Sequence, residues 1–367
     1  MEVTVTQENL SFALGNTSRI ASNKAGLPIL SNILLRTDGS RLLVAATNLE
    51  VASSHRIGAK VIKPGSITVP AKLLSDFVQN LSKGQITLST TGSKLHIKAD
   101  NSASTINGID DEEFPELPVI DEKTAVSYSV AADDFKQSVT QTIIAASNDS
   151  TRPILTGVYW HSFEDHLYLA ATDGYRLTER RIVGTSSDVT AVIPTSTLQE
   201  VLRTLRDDMG EIEILFDETQ VTFRLAEVEI TSRLIDGNFP DYRQLIPTAT
   251  DSSFTLKRTD FVRVIKIASL FARESGGGIT VKLDTDASKL IIHSIASEIG
   301  ENSSEVDVKA EGISGSVSLN SRYLIDGLGA VSSENVTFGF SGKLAPCVLV
   351  ESVKEPTYKH IIMPLKS

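Results

Sequence analysis

Alternating apolar and polar positions recur along the chain in blocks of one shape. NILLRTDGSRLLVAAT (32–47), GVYWHSFEDHLYLAAT (157–172) and ITVKLDTDASKLIIHS (279–294) each read as an alternating run, a polar turn and a second alternating run. That is the sequence form of a β-hairpin with one face on a core. A second kind of block follows each hairpin. SITVPAKLLSDFVQNL (66–81), TAVIPTSTLQEVLRTL (190–205) and GSVSLNSRYLIDGL (315–328) run a short β-like stretch into a helix. Apolar residues at helical spacing predict one buried face: Leu73, Leu74, Phe77, Val78 and Leu81 in the first, and Leu198, Val201, Leu202 and Leu205 in the second. Another hairpin comes next in every copy (ITLSTTGSKLHIKA, IEILFDETQVTFRLA, VTFGFSGKLAPCVLVES). A helix opens each copy near 7–21, 132–147 and 259–273, with Asp133 and Thr259 as N-caps of the last two.

The landmarks repeat at about 125 residues, far longer than a solenoid unit and long enough for each copy to bury its own core. Three similar domains are predicted, at 1-121, 125-248 and 252-367. Each is α+β, with two helices packed on antiparallel sheets. The linkers are the acidic IDDEEFPELPVIDEKT (109–124), read as solvated, and NFPDYRQLIPTATDSS (238–253). Domains joined edge to edge through their sheets leave no exposed edge if the assembly closes into a ring.

Composition narrows the function. No basic apolar leader opens the chain and no run approaches the ~20 apolar residues of a membrane span, so a soluble, unexported, cytoplasmic protein with no membrane partner is expected. The single Cys347 excludes an intramolecular disulfide framework and a cysteine zinc site, and reads as a small buried hydrophobe. Net charge is −11, and the middle third holds most of it, with 20 acidic residues against 11 basic. A surface that grips nucleic acid everywhere is excluded; a local basic face is not. Helices supply such faces. Arg19 with Lys24, Lys136, Arg203 with Arg206, and Arg263 with Lys266 stand on or beside helices of all three copies. They are either ordinary solvated cations or a surface for phosphates, contacted without reading sequence.

At this point the chain resembles the bacterial DNA polymerase III β subunit family, the replicative sliding clamps, over essentially its whole length. The resemblance rests on the triplication, on ATDGYRL (171–177), SRLIDGNFPDYRQLIP (232–247), LNSRYLIDGL (319–328) and the terminal IIMPL (361–365). It implies the DNA clamp fold, closed into a ring as a head-to-tail homodimer. It further implies a non-catalytic processivity factor without cofactor or metal. Its partners would be duplex DNA without sequence specificity, a clamp loader, and DNA polymerases and other proteins carrying clamp-binding peptides. The motifs carry over a peptide pocket of Leu155, Thr172, Gly174, Tyr175, Arg176, Leu177, Pro240, Leu245, Asn320, Tyr323, Ile361, Met363, Pro364 and Leu365 between the second and third domains. By position, Ile106, Leu270 and Phe271 are placed at the dimer interface. Departures from the family pattern are Gln244 after Arg243 where a second arginine is familiar, Tyr175 for histidine, the Lys366 and Ser367 ending, and Thr195 with Ser196 in place of a basic pair.

Two other classes compete. A hydrolase or metal-dependent enzyme would use Asp173 or the pair His161 and His166, whose HSFEDH context instead reads as a surface turn with Glu164 and Asp165 at its tip. No P-loop, GxSxG, HExxH or dinucleotide fingerprint occurs, and SGGGIT (275–280) reads as a helix exit. A triplicated scaffold without DNA is the blander option. The counterparts of ATDGYRL in the other copies, AATNLEVA (45–52) and IHSIASEI (292–299), lack its Asp-Gly pair and its Tyr-Arg. The fold alone therefore does not demand those residues, and Asp173 is expected to brace a turn.

Overall fold

The computed structural model describes residues 1–21, 27–185, 187–206, 209–273, 276–298 and 300–366. Among them are six α-helices, two per sequence copy: α1 Gln7–Ile20, α2 Ala71–Gln79, α3 Ala132–Ile143, α4 Thr195–Thr204, α5 Arg258–Phe271 and α6 Ser321–Ala330. The strands pair antiparallel, and each predicted hairpin forms.

The chain divides into two compact units, Met1–Asp133 with Ser196–Leu234, and Asp134–Thr195 with Ile235–Ser367. The middle copy is thus shared out between them. In the first unit an eight-stranded sheet crosses from one sequence copy to the next where Val51–Gly58 pairs with Val228–Arg233. In the second, a nine-stranded sheet crosses where Arg176–Gly184 pairs with Tyr358–Ile362. Edge-to-edge joining, expected from the repeat, is what the backbone does at both crossings. Each unit also holds a smaller sheet. The five-stranded one ends at Ser102–Asn107, and the four-stranded one ends at Gly300–Asp307.

Helix periodicity sorts core from surface. In α1 Leu10, Ala13, Leu14 and Thr17 are buried; in α5 Phe261, Val264, Ile265 and Ala268 are, which turns Arg263 and Lys266 outward. Burying each large aliphatic side chain among these contributes roughly 1.5–3 kcal/mol. Phe254, Phe261 and Phe338 pack with centroids 5.4 to 6.1 Å apart beneath α5. Cys347 is fully buried in the same core, and burial pushes its thiol up to about 12.

Four sequence expectations need correction. Asp133 and Thr259 do not cap: α3 begins at Ala132, and α5 is preceded by Lys257, which makes no side-chain cap bond. Both helices start directly from a strand, so these residues fall in the first turn. Leu73 is exposed, because the buried face of α2 runs through Ala71, Leu74, Ser75 and Val78. The acidic linker is docked as well as solvated: Phe114 is buried among Ile29, Leu30, Leu34, Leu43 and Ala45, and Asp111 accepts from Arg36 at 2.8 Å. His161 is not on a surface turn. Glu164 and Asp165 do form the tip, with φ of 46° and 58°, and His166 is half-buried beside them, but His161 is 7% exposed. Of the SGGGIT stretch, Ser275 lies outside the described residues, while Gly276 and Gly277 take φ of 65° and 85° after the end of α5.

Candidate functional site

The ATDGYRL stretch turns the strand His166–Thr172 into Arg176–Gly184. Thr172 Oγ1 donates to the Arg176 carbonyl at 2.7 Å and accepts the Gly174 amide at 3.0 Å. Asp173 Oδ1 accepts the amides of Tyr175 and Arg176 at 2.9 and 3.0 Å, an Asx-type brace. Its other oxygen accepts from Arg176 Nε at 3.1 Å. Gly174 sits at φ 92°, where a side chain is disfavoured. The result holds Tyr175 out, 66% exposed, and turns Arg176 in. Asp173 is spent on backbone amides and one guanidinium, which is the expected bracing role.

Arg176 then links two elements of this unit. Its guanidinium meets Asp326 of α6 at 2.5 Å and lies 4.6 Å from the centroid of Tyr323, one helical turn away. Burial, then Asp173, raises the Tyr323 phenol's pKa. Asn320 accepts the Arg322 amide at 2.9 Å as the N-cap of α6 and donates to the Gly276 carbonyl at 3.2 Å. The terminal segment adds a strand: Leu177 faces Ile361, both buried, and the Met363 amide donates to the Tyr175 carbonyl at 2.9 Å. The Leu365 amide donates to the Ser318 carbonyl at 2.8 Å, so the tail is pinned at two points. Met363, Pro364 and Leu365 are half-buried.

The 238–247 segment covers the outer face of the same sheet. Tyr242 joins Ala170, Leu177 and Ile361 in one apolar cluster, against which Tyr159, Phe239, Ile246 and Val348 pack. Pro240 and Leu245 remain exposed on this segment. Leu155 is buried in the 3-10 turn Pro153–Thr156, and Ile154 of that turn faces Gly237. Sequence reasoning missed Asp326, Tyr159, Phe239 and Val348. Asp326 was recoverable from its spacing, three residues after Tyr323 on one helix face.

Beneath the segment lies a buried polar network that the sequence did not suggest. Tyr242 Oη donates to Glu179 Oε2 at 2.8 Å and sits 2.7 Å from His161 Nε2. Arg243 stacks on Phe163 and Tyr168, 3.6 and 4.5 Å from their centroids, and reaches Glu179 at 3.4 Å. Lys359 approaches Glu179 at 3.6 Å. Burial, then Arg243, lowers the His161 pKa to about 4, and burial raises that of Tyr242. Arg243 is therefore an anchor under the site, while Gln244 is exposed at its rim.

The first copy builds the same turn with other residues, in line with the reading that fold alone does not demand Asp173, Gly174, Tyr175 and Arg176. Thr47 Oγ1 donates to the Val51 carbonyl at 3.1 Å, and Asn48 Oδ1 accepts the Glu50 and Val51 amides at 2.9 and 2.8 Å. The Arg233 amide donates to the Glu50 carbonyl at 2.9 Å, in the place of Met363 to Tyr175. What the second copy alone has is the side chains: Gly174, Tyr175, Arg176 and Leu177 against Leu49, Glu50, Val51 and Ala52.

The basic residues lie on or beside helices of both units. In the first unit Arg19 and Arg203 both pair with Glu200, Arg19 at 3.0 Å, and Arg206 lies 3.5 Å over the Phe12 ring. In the second, Arg263 pairs with Asp260 at 3.1 Å, and Lys136 and Lys266 are exposed on α3 and α5. Lys24 lies outside the described residues. Ile106 faces its own core at 6% exposure, Leu270 is 54% exposed and Phe271 is half-buried.

Comparison with known proteins assigns the class. A curated beta sliding clamp of Staphylococcus aureus is 29% identical over the full length of both chains. The crystal structure of the Bacillus subtilis sliding clamp matches with a TM-score of 0.94 and 26% identity, covering 100% of this chain and 99% of that one. A Pseudomonas aeruginosa sliding clamp bound to griselimycin matches with a TM-score of 0.94 and 26% identity over both full chains. Sheets that run on from copy to copy in a triplicated α+β chain are thus those of the DNA clamp fold. Family models of the DNA polymerase III beta subunit match residues 1–118 (N-terminal domain), 129–241 (central domain) and 243–366 (C-terminal domain), and the chain belongs to that family. It is a DNA polymerase processivity factor, not an enzyme.

Proposed function

We propose that the site built around Arg176, Leu177, Tyr323 and Ile361 is the groove through which this clamp tethers polymerases, by taking a short extended peptide from each partner. The observation that carries this reading is its construction: an apolar floor, an exposed Tyr175 and Leu245, and a half-buried Met363 on a pinned tail. Such a surface adapts to several peptides. Two chains join head to tail into a ring around duplex DNA in the cytoplasm, loaded by a clamp loader. The unpaired edges of Ser102–Asn107 and Gly300–Asp307, one from each chain, supply the joint. Exposed Leu270 and half-buried Phe271 support it at the end of α5, and Ile106 supports it from within. Domain limits at 1-121, 125-248 and 252-367 suit this assembly. Arg19, Lys24, Lys136, Arg203, Arg206, Arg263 and Lys266 face the phosphates, with Glu200 sharing out its charge between Arg19 and Arg203. Weak, exchangeable contacts of this kind suit sliding.

Two measurements test the reading. Protein loaded on nicked circular DNA should be lost when the circle is linearised; retention independent of topology would remove the ring. Deleting Met363–Ser367 should abolish binding of a polymerase clamp-binding peptide in calorimetry while the dimer's solution mass is unchanged. Undiminished affinity would refute the groove.

A further inference from the structure

The first unit carries a cavity that the proposed function does not use. It has a volume of ≈ 230 Å³ and lies at the turn 47–51, on the same scaffold as the proposed peptide groove. The likeness extends beyond the turn. A 3-10 turn Pro28–Ser31 stands where Pro153–Thr156 stands, with Leu30 buried like Leu155. The segment EFPE (113–116) matches NFPD (238–241). Strand pairing sets Ala52 against Thr231 where Leu177 meets Ile361. Two large aliphatic side chains are thus replaced by a methyl and a small hydroxyl-bearing one, and the space they would fill is open.

The rim has also changed chemistry. Leu49 stands 45% exposed at φ 73°, a backbone region disfavoured for a leucine. Across from the turn, Leu117 packs on the apolar cluster of the first copy, and Pro118 after it lines the cavity. Glu50 takes the place of Tyr175, Glu116 that of Asp241, and Arg233 that of Met363. A carboxylate, Glu50, and a guanidinium, Arg233, now stand where the second copy has an aromatic and a thioether group, and Glu116 keeps an acid where Asp241 stands, so two carboxylates and one guanidinium surround an aliphatic rim.

We infer that this cavity is a second peptide site, selective for an extended segment that sets a basic side chain beside an aliphatic one. The aliphatic group enters over Ala52 between Leu49 and Pro118, and the basic group meets Glu50 and Glu116. The inference rests on the peptide reading of the second-copy groove, from which it borrows the binding mode but not the specificity.

The test uses the full-length protein, labelled in its Ala, Leu and Ile methyl groups for NMR. The probes are the capped tetrapeptides acetyl-Lys-Leu-Lys-Leu-amide and acetyl-Glu-Leu-Glu-Leu-amide. The lysyl peptide should shift the Ala52 and Leu49 methyls saturably, at least about tenfold more tightly than the glutamyl peptide. Ala52→Leu, which installs the residue the second copy already carries, should remove the response. Glu116→Lys, on the exposed rim, should weaken it by about fivefold or more with the fold intact. No shift at Ala52, equal affinity for both peptides, or indifference to Glu116→Lys would overturn the inference. A polymerase clamp-binding peptide in the same sample reads Leu177 and Ile361. If those methyls move and Ala52 does not, only the second site falls; if they stay still, the proposed groove itself falls.

Discussion

The turns at 47–51 and 172–176 have the same hydrogen bonds, and the segments that cover them differ in how far a buried polar network adds to their apolar contacts. In the first copy the covering segment is held mainly by Phe114 and Leu117 against Leu34, Leu43 and Ala45, with the partly exposed Asp111–Arg36 ion pair at its start. In the second it is held by Tyr242, hydrogen-bonded to a buried Glu179 and to His161, with Arg243 stacked alongside. Strand pairing makes Ser54 the counterpart of Glu179, so the buried carboxylate belongs to the second copy and not to the first. Apolar contacts hold a segment without fixing its register closely. A buried polar network built on one shared carboxylate fixes the positions of its donors more closely, at the cost of desolvating them. The wall that carries Leu245, placed at the peptide groove by the proposed function, is the one given the more specific anchor.

The sharpest way to break this contrast is to remove the carboxylate. Glu179→Ala leaves the Tyr242 hydroxyl with His161 alone and takes from Arg243 and Lys359 their shared carboxylate, and should cost about 3 kcal/mol. Leu117→Ala, which trims a half-buried apolar contact in the first copy, should cost about 1 kcal/mol. Thermal melts with hydrogen exchange resolved by segment would check both. Equal losses would mean that the polar network holds no more than the apolar one does.

Acid provides a second, smaller lever. Burial lowers the imidazole of His161 from 6.5 to about 4, and that of His360 to about 3; in the first unit it lowers His55 to about 4. These groups are neutral in the fold and take up a proton below pH 6.5 when unfolded. Their stabilisation is therefore full above about pH 6.5 and is lost as pH falls toward about 4, by roughly 1.4 kcal/mol per group per unit. At about pH 5 the second unit, with two such histidines, should lose about 2 kcal/mol more than the first. His161→Gln should narrow that gap, as exchange measured at about pH 5 and about pH 7 would show. A gap that the substitution leaves untouched would detach His161 from the acid response.

Much of this was legible in the sequence, for a physical reason. Hairpins, helices and the triplication follow from periodicity, which short-range sterics and burial impose directly. The Asp173 brace was legible because Asp directly before Gly at the end of a strand is the sequence form of an Asx turn. That Asn48 makes the same brace was not, since a turn with Leu49 in place of Gly174 gives no glycine signal. His161 was hidden for another reason. Alternation assumes one solvated face, whereas the strand Gly157–Phe163 is covered on its second face by the 238–247 segment, so both Trp160 and His161 are buried. A linker that folds back onto a sheet leaves no local pattern. The carboxylate partner of Arg19 was equally invisible, since nothing near it in sequence points to Glu200, whereas Glu200–Arg203 and Asp260–Arg263 follow from helical spacing.

The smallest expected effect tests whether the first turn keeps its leucine for a reason. Leu49 occupies φ 73° and Gly174 φ 92°, and for an L side chain the left-handed region costs about 1 kcal/mol. If Leu49 served only the fold, Leu49→Gly would relieve that strain, offset in part by the greater freedom glycine gives the unfolded chain. Because Leu49 is 45% exposed, little packing is lost, and the net change should lie within about 0.5 kcal/mol of zero. Gly174→Leu should destabilise the second unit by about 1 kcal/mol, since it adds the strain and open space offers no compensating contact. Urea midpoints for the two variants decide the matter. A loss above about 1 kcal/mol for Leu49→Gly would show that the leucine supports the first copy's fold, and would weaken the case that it is held out for a ligand.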